Sequence, residues 1–218
     1  HPLSFAAMTD ILLVPRAVLD MEEPWSTPSV CSPVRLRRAG DASVPRLSTS
    51  VAVWYDAEAL SILFSSADDA IRATYFHHDD PLYEDDVVEM FIAPERLTRY
   101  YELEVSPNGA VFDATVDSPD RSRTTMDVDR AWDCEGLVVA IRKNVESSGL
   151  MTLDTLVRIP FASLGRSTPG DGESWRANFY RIDRHAEEGD EFSAWQPTRK
   201  DPPDFHVPDL FGVLRFVG

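Results

Sequence analysis

Short runs with the alternation of a β-strand recur along this chain and stop at turn signals. Most runs repeat apolar residues with a period of two, as in a strand with one buried face. Clusters of glycine, proline, asparagine and serine separate the runs, for example at 107–109 and 169–172. The runs are 51–55, 60–65, 87–92, 100–105, 110–116, 137–145, 151–159, 175–182 and 211–217. Many short strands with turns between them predict an all-β fold, an antiparallel β-sandwich.

The rest of the chain adds little regular structure and no linker. Helical signal is limited to 160–165, which begins with proline and ends with glycine, as in a single turn. The proline-rich segment 1–45 predicts an irregular N-terminal wrap with two edge strands. A second proline cluster marks a long loop at 195–209, and loops of that length in compact domains are often functional. We therefore expect residues 1–218 to form a single domain.

The charge of the chain excludes several classes of partner. There are 37 acidic and 21 basic residues, which gives a formal net charge of −16 at pH 7. Such a charge repels phosphate backbones and anionic membrane surfaces, so we expect no nucleic-acid partner. No apolar run approaches the roughly 20 residues of a membrane-spanning helix, so we expect no membrane insertion.

The chain start and the cysteines bear on its location. The chain begins at His1 without a methionine, as in a processed secretory protein or a trimmed chain. Cys31 and Cys134 form one disulfide or remain two buried thiols, and the sequence leaves both alternatives open. Their wide separation excludes a CxxC metal or redox motif.

The segment 81–92, PLYEDDVVEMFI, places a carboxylate in a strand. Alternation puts Glu89 on a partly apolar face, where an unpaired polar group costs roughly 2–7 kcal/mol. Glu89 is therefore a site candidate. A hairpin would place it beside Glu104, and two close carboxylates disfavour joint ionisation unless an arginine or a cation lies between them. The arginines expected to serve lie in strand-like runs: Arg142, Arg158, Arg176, Arg181 and Arg215. The competing interpretation is a structural ladder of salt bridges.

Five motifs in order resemble a known family: YEDDVVEMFI, YYELEVSPNG, WRANFYRID, FSAW and FHVPDLFGVLRF. Together they are similar to the family 9 carbohydrate-binding modules, over about three quarters of the chain, from Trp54 to Val217. The resemblance implies a β-sandwich related to the DOMON superfamily. It also implies a pocket for a mono- or oligosaccharide, and often structural calcium.

The resemblance also implies particular binding residues. Tyr83 occupies the position of the first of two aromatic residues that clamp the sugar, Glu89 that of a strand carboxylate, and Phe205 falls near the second clamp position. The chain departs from the family pattern because smaller aromatics replace two tryptophans and Glu104 stands where the family has an arginine. Trp195 is the alternative second clamp residue, although a core position is the competing interpretation.

The strand 175–182 carries one further candidate. Its faces separate into Trp175, Ala177, Phe179 and Arg181, typical of core, and Arg176, Asn178, Tyr180 and Ile182, suited to a binding face. Asn178 is therefore a ligand candidate, and Arg181 on the opposite face is not expected to reach the same ligand.

Acidic residues offer candidate calcium ligands, and no cofactor is required. Asp79, Asp80, Asp85 and Asp86 are calcium candidates, but none has the spacing of a dedicated loop, and solvated surface acid is the competing interpretation. The neighbouring His77 and His78 would point to opposite faces of a strand and could not ligate one metal together. On that ground we expect no zinc site.

We interpret the chain as a non-catalytic carbohydrate-binding protein whose ligands include the reducing ends of sugars. We expect it to be extracytoplasmic and monomeric. We also expect it to act in polysaccharide catabolism beside a glycoside hydrolase system. One alternative is a glycan hydrolase that uses Glu89 and Glu104 as paired carboxylates. The other is a DOMON-type haem or redox domain with Met90 and His206 as ligands.

Overall fold

Two β-sheets packed face to face form the protein. The computed structural model describes residues 10–20, 22–25 and 28–218. The strands are β1 (Ile11–Pro15), β2 (Val34–Arg35), β3 (Arg37–Arg38), β4 (Thr49–Tyr55), β5 (Ala59–Asp68), β6 (Val87–Arg96), β7 (Arg99–Val105), β8 (Val111–Asp117), β9 (Asp127–Asp129), β10 (Val138–Val145), β11 (Met151–Pro160), β12 (Ser174–Asp183), β13 (Glu191–Ala194) and β14 (Gly212–Val217). Three 3₁₀ turns accompany them, at Leu82–Glu84, Arg123–Thr125 and Pro208–Leu210. The predicted all-β sandwich is confirmed.

Among the described residues, the larger sheet has nine strands and the smaller has five. The larger runs β1-β14-β12-β6-β7-β8-β9, with β13 paired to β12 and β3 paired to β13. The smaller runs β10-β11-β5-β4-β2. All pairs are antiparallel except β1 and β14, which are parallel. The described part of the N-terminal segment supplies three short strands, β1, β2 and β3, where the sequence predicted two.

The core between the sheets is built by alternate residues of facing strands. Trp175 and Phe179 of β12 point into it, and Phe179 meets Phe64 of β5 edge to face at 6.1 Å. Trp195 also belongs to this core, since its ring stacks on Phe179 and covers Gly212. A Cβ added at Gly212 would lie 2.3 Å from the Trp195 ring. Trp195 is therefore a core residue, as the competing interpretation proposed, and not a clamp residue.

The outer face of the larger sheet is also covered. Phe91, Tyr100 and Tyr180 lie on it and pack against Phe205 and Phe211 from the segment that leads to β14. The proline-rich loop predicted at 195–209 thus lies over the sheet and forms one side of the site described below. In the part of the chain that the structure describes, no helix is long and apolar enough to cross a membrane.

Candidate functional site

Three glutamates lie side by side on the outer face of the larger sheet. Glu89 of β6 is the register partner of Glu104 of β7, and Glu102 lies two residues earlier on the same face of β7. All three side chains are buried, and one carboxylate oxygen of each lies within 4.8 Å of the others. The predicted neighbourhood of Glu89 and Glu104 is confirmed, and Glu102 completes a carboxylate triad.

Burial raises the pKa of every member of this triad. The pKa of Glu102 rises to about 7, because the loss of hydration outweighs the opposing effect of Arg123 and Arg130. Burial raises the pKa of Glu89 and Glu104 as well, and each is raised further by the charge of neighbouring glutamates. The triad therefore retains protons near neutral pH. Glu104 Oε2 is buried and accepts no hydrogen bond from the described residues.

The triad lies in a cavity of about 290 Å³. This volume is near the lower end of the range for ligand pockets, about 300–1,000 Å³, and suits a small ligand or the end of a longer one. The residues that line the cavity are Tyr83, Glu89, Glu102, Glu104, Phe112, Arg123, Met126, Val128, Arg130, Ile182, Arg184, Phe192, Pro203, Asp204, Phe205 and His206. The structure thus brings four of the five predicted binding residues together: Tyr83, Glu89, Glu104 and Phe205.

Two aromatic residues predicted as a clamp border this cavity but differ in exposure. Tyr83, on the 3₁₀ turn Leu82–Glu84, is 47% exposed. Phe205 is 7% exposed and stacks flat on Tyr180, with ring centroids 4.1 Å apart. The Tyr180 hydroxyl donates to the backbone oxygen of Phe205 at 3.0 Å, which fixes that part of the loop. Phe205 is a rigid wall, whereas Tyr83 is free on its solvent side.

A histidine joins the loop to the triad. His206 Nδ1 lies 2.8 Å from the Tyr100 hydroxyl, and Nε2 lies 3.7 Å from a Glu102 oxygen. Burial, and to a lesser degree Arg123, lowers the pKa of His206 to about 4, so its ring is neutral at pH 7. Met90 points into the core between the sheets, on the opposite side of β6. Met90 and His206 therefore cannot share a haem, and the proposal of that ligand pair is wrong.

The arginines at the cavity are not the ones predicted. Four of the predicted five are paired elsewhere: Arg142 with Asp154, Arg158 with Asp56, Arg176 with the Phe211 carbonyl and Arg181 with Asp68, while Arg215 lies exposed on β14. Instead Arg123, Arg130 and Arg184 line the cavity. They lie outside the strands, where alternation carries no signal. Arg184 Nε is buried and finds no hydrogen-bond partner among the described residues.

Asn178 does not reach the cavity. Its Nδ2 donates to the Gln196 carbonyl at 2.8 Å, and its Oδ1 accepts from the Gln196 N–H at 2.9 Å. The prediction of the outer face is right, but the chain at Gln196 covers the side chain. Asn178 is therefore not the ligand contact that the sequence predicted, but a residue that anchors the loop to β12.

Three of the four calcium candidates hold backbone in place. Asp80 accepts from the N–H groups of Phe76 and His77, and Asp86 accepts from those of Arg72 and Arg184. Asp85 accepts from the Thr74 hydroxyl at 2.7 Å and from Arg72 Nε at 2.9 Å. These carboxylates fasten the segment 69–81 ahead of Tyr83. Asp79 differs, since its carboxylate lies beside His78.

Comparisons with known proteins agree with this architecture. The family model described as carbohydrate-binding family 9 matches residues 41–216. An extracellular protein of Arthroderma benhamiae is 28% identical over 187 residues, which covers 79% of this chain and 80% of that protein.

Solved structures share the fold at low identity. A candidate carbohydrate-binding protein of Bacteroides uniformis superposes with a TM-score of 0.72 at 18% identity and covers 95% of this chain and 99% of that chain. A family 9 carbohydrate-binding module of Caldicellulosiruptor kristjanssonii, in complex with cellotriose, superposes with a TM-score of 0.62 at 14% identity. It covers 96% of this chain and 94% of that chain, and a second structure of the module contains glucose.

Proposed function

The chain belongs to carbohydrate-binding family 9, and from that premise we propose that it is a non-catalytic module that binds a mono- or oligosaccharide in the cavity around the triad. The observation that carries the proposal is the meeting of aromatic rings and unpaired polar atoms in one small cavity. The complexes of the Caldicellulosiruptor kristjanssonii module with glucose and cellotriose support this class of ligand.

The cavity offers both kinds of contact that a sugar ring needs. The C–H face of a pyranose is apolar and packs on an aromatic ring, here Tyr83 on one side and Phe205 on the other. Its hydroxyls require hydrogen-bond donors and acceptors in fixed positions. Glu104 Oε2 and Arg184 Nε supply one unpaired acceptor and one unpaired donor. The two rings act as the aromatic clamp, and the triad accepts hydrogen bonds from the hydroxyls.

The small volume favours a monosaccharide or a chain end over the middle of a polysaccharide. About 290 Å³ leaves little room for sugar residues on both sides of the bound one. The proposed ligands therefore include the reducing end of an oligosaccharide. Binding of this kind suits an extracytoplasmic, monomeric module that works beside a glycoside hydrolase in polysaccharide catabolism. The extracellular relative from Arthroderma benhamiae supports that location.

The arrangement of the carboxylates argues against hydrolysis. A glycosidase places two carboxylates on either side of the scissile bond, about 5–5.5 Å apart when retaining and 6.5–9.5 Å when inverting. Glu89, Glu102 and Glu104 instead lie together on neighbouring strands and share one face of the sheet. Such a cluster binds one side of a ligand and does not flank a bond.

Calorimetry with glucose, cellobiose, cellotriose and methyl-capped glucosides tests the proposal. We expect binding at millimolar concentrations or below, with weaker binding of the capped sugars if the reducing end is recognised. Tyr83→Ala should weaken binding about two- to tenfold, since an aromatic contact contributes about 0.5–1.5 kcal/mol beyond the area it buries. Phe76→Ala is the matched control, because Phe76 is 68% exposed and lies outside the cavity. No heat with any of these sugars, or equal affinity in Tyr83→Ala, would overturn it.

A further inference from the structure

A second cluster of ionisable groups lies apart from the cavity, where the segment 69–81 meets β8. His78 Nε2 lies 3.1 Å from an Asp133 oxygen and 3.2 Å from Asp113 Oδ1. A third carboxylate, that of Asp79, approaches the same nitrogen at 3.5 Å. None of these residues lines the sugar cavity.

Hydrogen bonding alone does not account for this arrangement. One imidazole nitrogen carries at most one proton and can donate to only one acceptor, yet three carboxylates converge on it. Asp113 is 2% exposed, and its Oδ2 accepts from the Cys134 N–H at 2.7 Å. Its Oδ1 points toward His78 and accepts no hydrogen bond from any residue that the structure describes. A buried carboxylate oxygen without a partner is costly unless a cation balances it.

We propose that His78, Asp113 and Asp133 bind a divalent transition-metal ion of the Zn²⁺ type, with Asp79 as an adjacent carboxylate. One ligand atom from each of the three lies within 4.8 Å of the others. Bonds of 2.0–2.1 Å in a tetrahedral zinc site place neighbouring ligand atoms about 3.3 Å apart. The nitrogen-to-oxygen distances of 3.1 and 3.2 Å are close to that value.

The donor set favours zinc over calcium. Calcium takes six to eight oxygen ligands, whereas zinc commonly combines imidazole nitrogen with carboxylate oxygen. His77 and His78 lie in a turn and not in a strand, and only His78 belongs to the cluster, so the site proposed here uses His78 alone. The zinc site that the sequence did not predict arises because Asp113 and Asp133 reach His78 from distant parts of the chain.

The ion would fasten two loops to the sheet. Asp113 belongs to β8, His78 to the segment before Tyr83, and Asp133 to the segment after Arg130. The Asp79 N–H already donates to the Val111 carbonyl at 3.0 Å, with Asp79 at a φ of 62°. A metal at this point would therefore hold the two segments that adjoin the cavity residues Tyr83 and Arg130, which gives the ion a structural role.

Titration of the chelator-treated full chain with Zn²⁺ tests the site, with Co²⁺ as a spectroscopic probe. We expect one Zn²⁺ per chain with a micromolar or tighter Kd, a rise in Tm of several degrees, and the visible absorption of tetrahedral Co²⁺. His78→Ala and Asp113→Asn should each weaken binding at least tenfold. His77→Ala should bind as the wild type does, because the His77 side chain is not part of the cluster.

Other outcomes would overturn the proposal. Zn²⁺ binding that persists unchanged in His78→Ala would belong to another part of the chain. A zinc site would also be refuted if Zn²⁺ did not bind to the wild type. The same holds if the chain preferred Ca²⁺ and His78→Ala left the Ca²⁺ affinity unchanged. His78 lies on an exposed loop, so this variant remains informative if Asp113→Asn fails to fold. Sugar binding by the metal-free chain is measured separately, so failure of the metal site leaves the proposed function standing.

Discussion

At the scale of single residues, the carboxylate triad stores protons that the unfolded chain would release. An unfolded glutamate has a pKa near 4.3, whereas burial raises the pKa of Glu102 to about 7. The folded protein therefore binds more protons than the unfolded chain between these pH values. A rise in pH disfavours the state that binds more protons, which is the folded state here. The free energy of unfolding therefore falls as pH rises through this window.

Glu102→Gln should reduce the fall in the free energy of unfolding as pH rises. The amide keeps the shape of the protonated acid and does not ionise, so the variant should lose less stability than the wild type between pH 5 and pH 8. At pH 8 we expect the variant to be more stable by about 1–3 kcal/mol, at most the cost of ionising one such group. Urea unfolding at both pH values measures this, with the exposed Glu58→Gln as control. An equal loss in Glu102→Gln and wild type would contradict the assigned pKa.

At the scale of elements, the site depends on how β12 holds the loop that follows β13. Asn178 uses both ends of its amide on the backbone of Gln196, and Tyr180 donates to the carbonyl of Phe205 farther along the loop. Two side chains of one strand face thus fix a long irregular segment. These hydrogen bonds from β12 hold the aromatic wall of the cavity in a fixed position.

Asn178→Ala should therefore lower stability. The substitution leaves the partly buried N–H and carbonyl of Gln196 without these partners, at a cost of about 0.5–1.5 kcal/mol for each hydrogen bond. Urea unfolding measures the loss, and the exposed Asn144→Ala on β10 is the matched control. If Asn178→Ala instead lost sugar affinity with stability unchanged, the side chain would be a ligand contact after all.

The nine longest strands were predictable from sequence, but much of the site was not. Alternation located all nine predicted strands and placed Glu89 beside Glu104, because period and hairpin length fix which side chains share a face. The sequence did not predict the arginines of the cavity, Arg123, Arg130 and Arg184. They lie outside the strands, where side chains do not alternate and contacts between distant parts of the chain decide which groups meet. The prediction that Asn178 contacts the ligand failed for a related reason. The backbone of Gln196, which covers Asn178, belongs to a loop outside the strand.

At the scale of the whole molecule, the described residues form three apolar layers separated by two sheets. One layer lies between the sheets, one lies on the outer face of the larger sheet, and one lies on the outer face of the smaller sheet around Trp54. Cys31 packs against the layer at Trp54, whereas Cys134 is buried in the layer between the sheets. The structure records both as free thiols, so the alternative of two thiols is the one it contains.

This layering predicts that no disulfide forms in the folded protein. A disulfide needs Cα atoms about 4.4–6.8 Å apart, and cysteines in different layers do not meet that condition. Burial raises the pKa of Cys31 to about 11 and of Cys134 to about 12, so both thiols should react slowly with thiol reagents at pH 8 while the chain is folded. Unfolding in guanidinium without reductant should then release two reactive thiols per chain, and reductant should leave Tm unchanged. Fewer than two thiols, or a Tm that falls with reductant, would mean that the two layers come together at these residues and that the arrangement of the sheets differs from the one described.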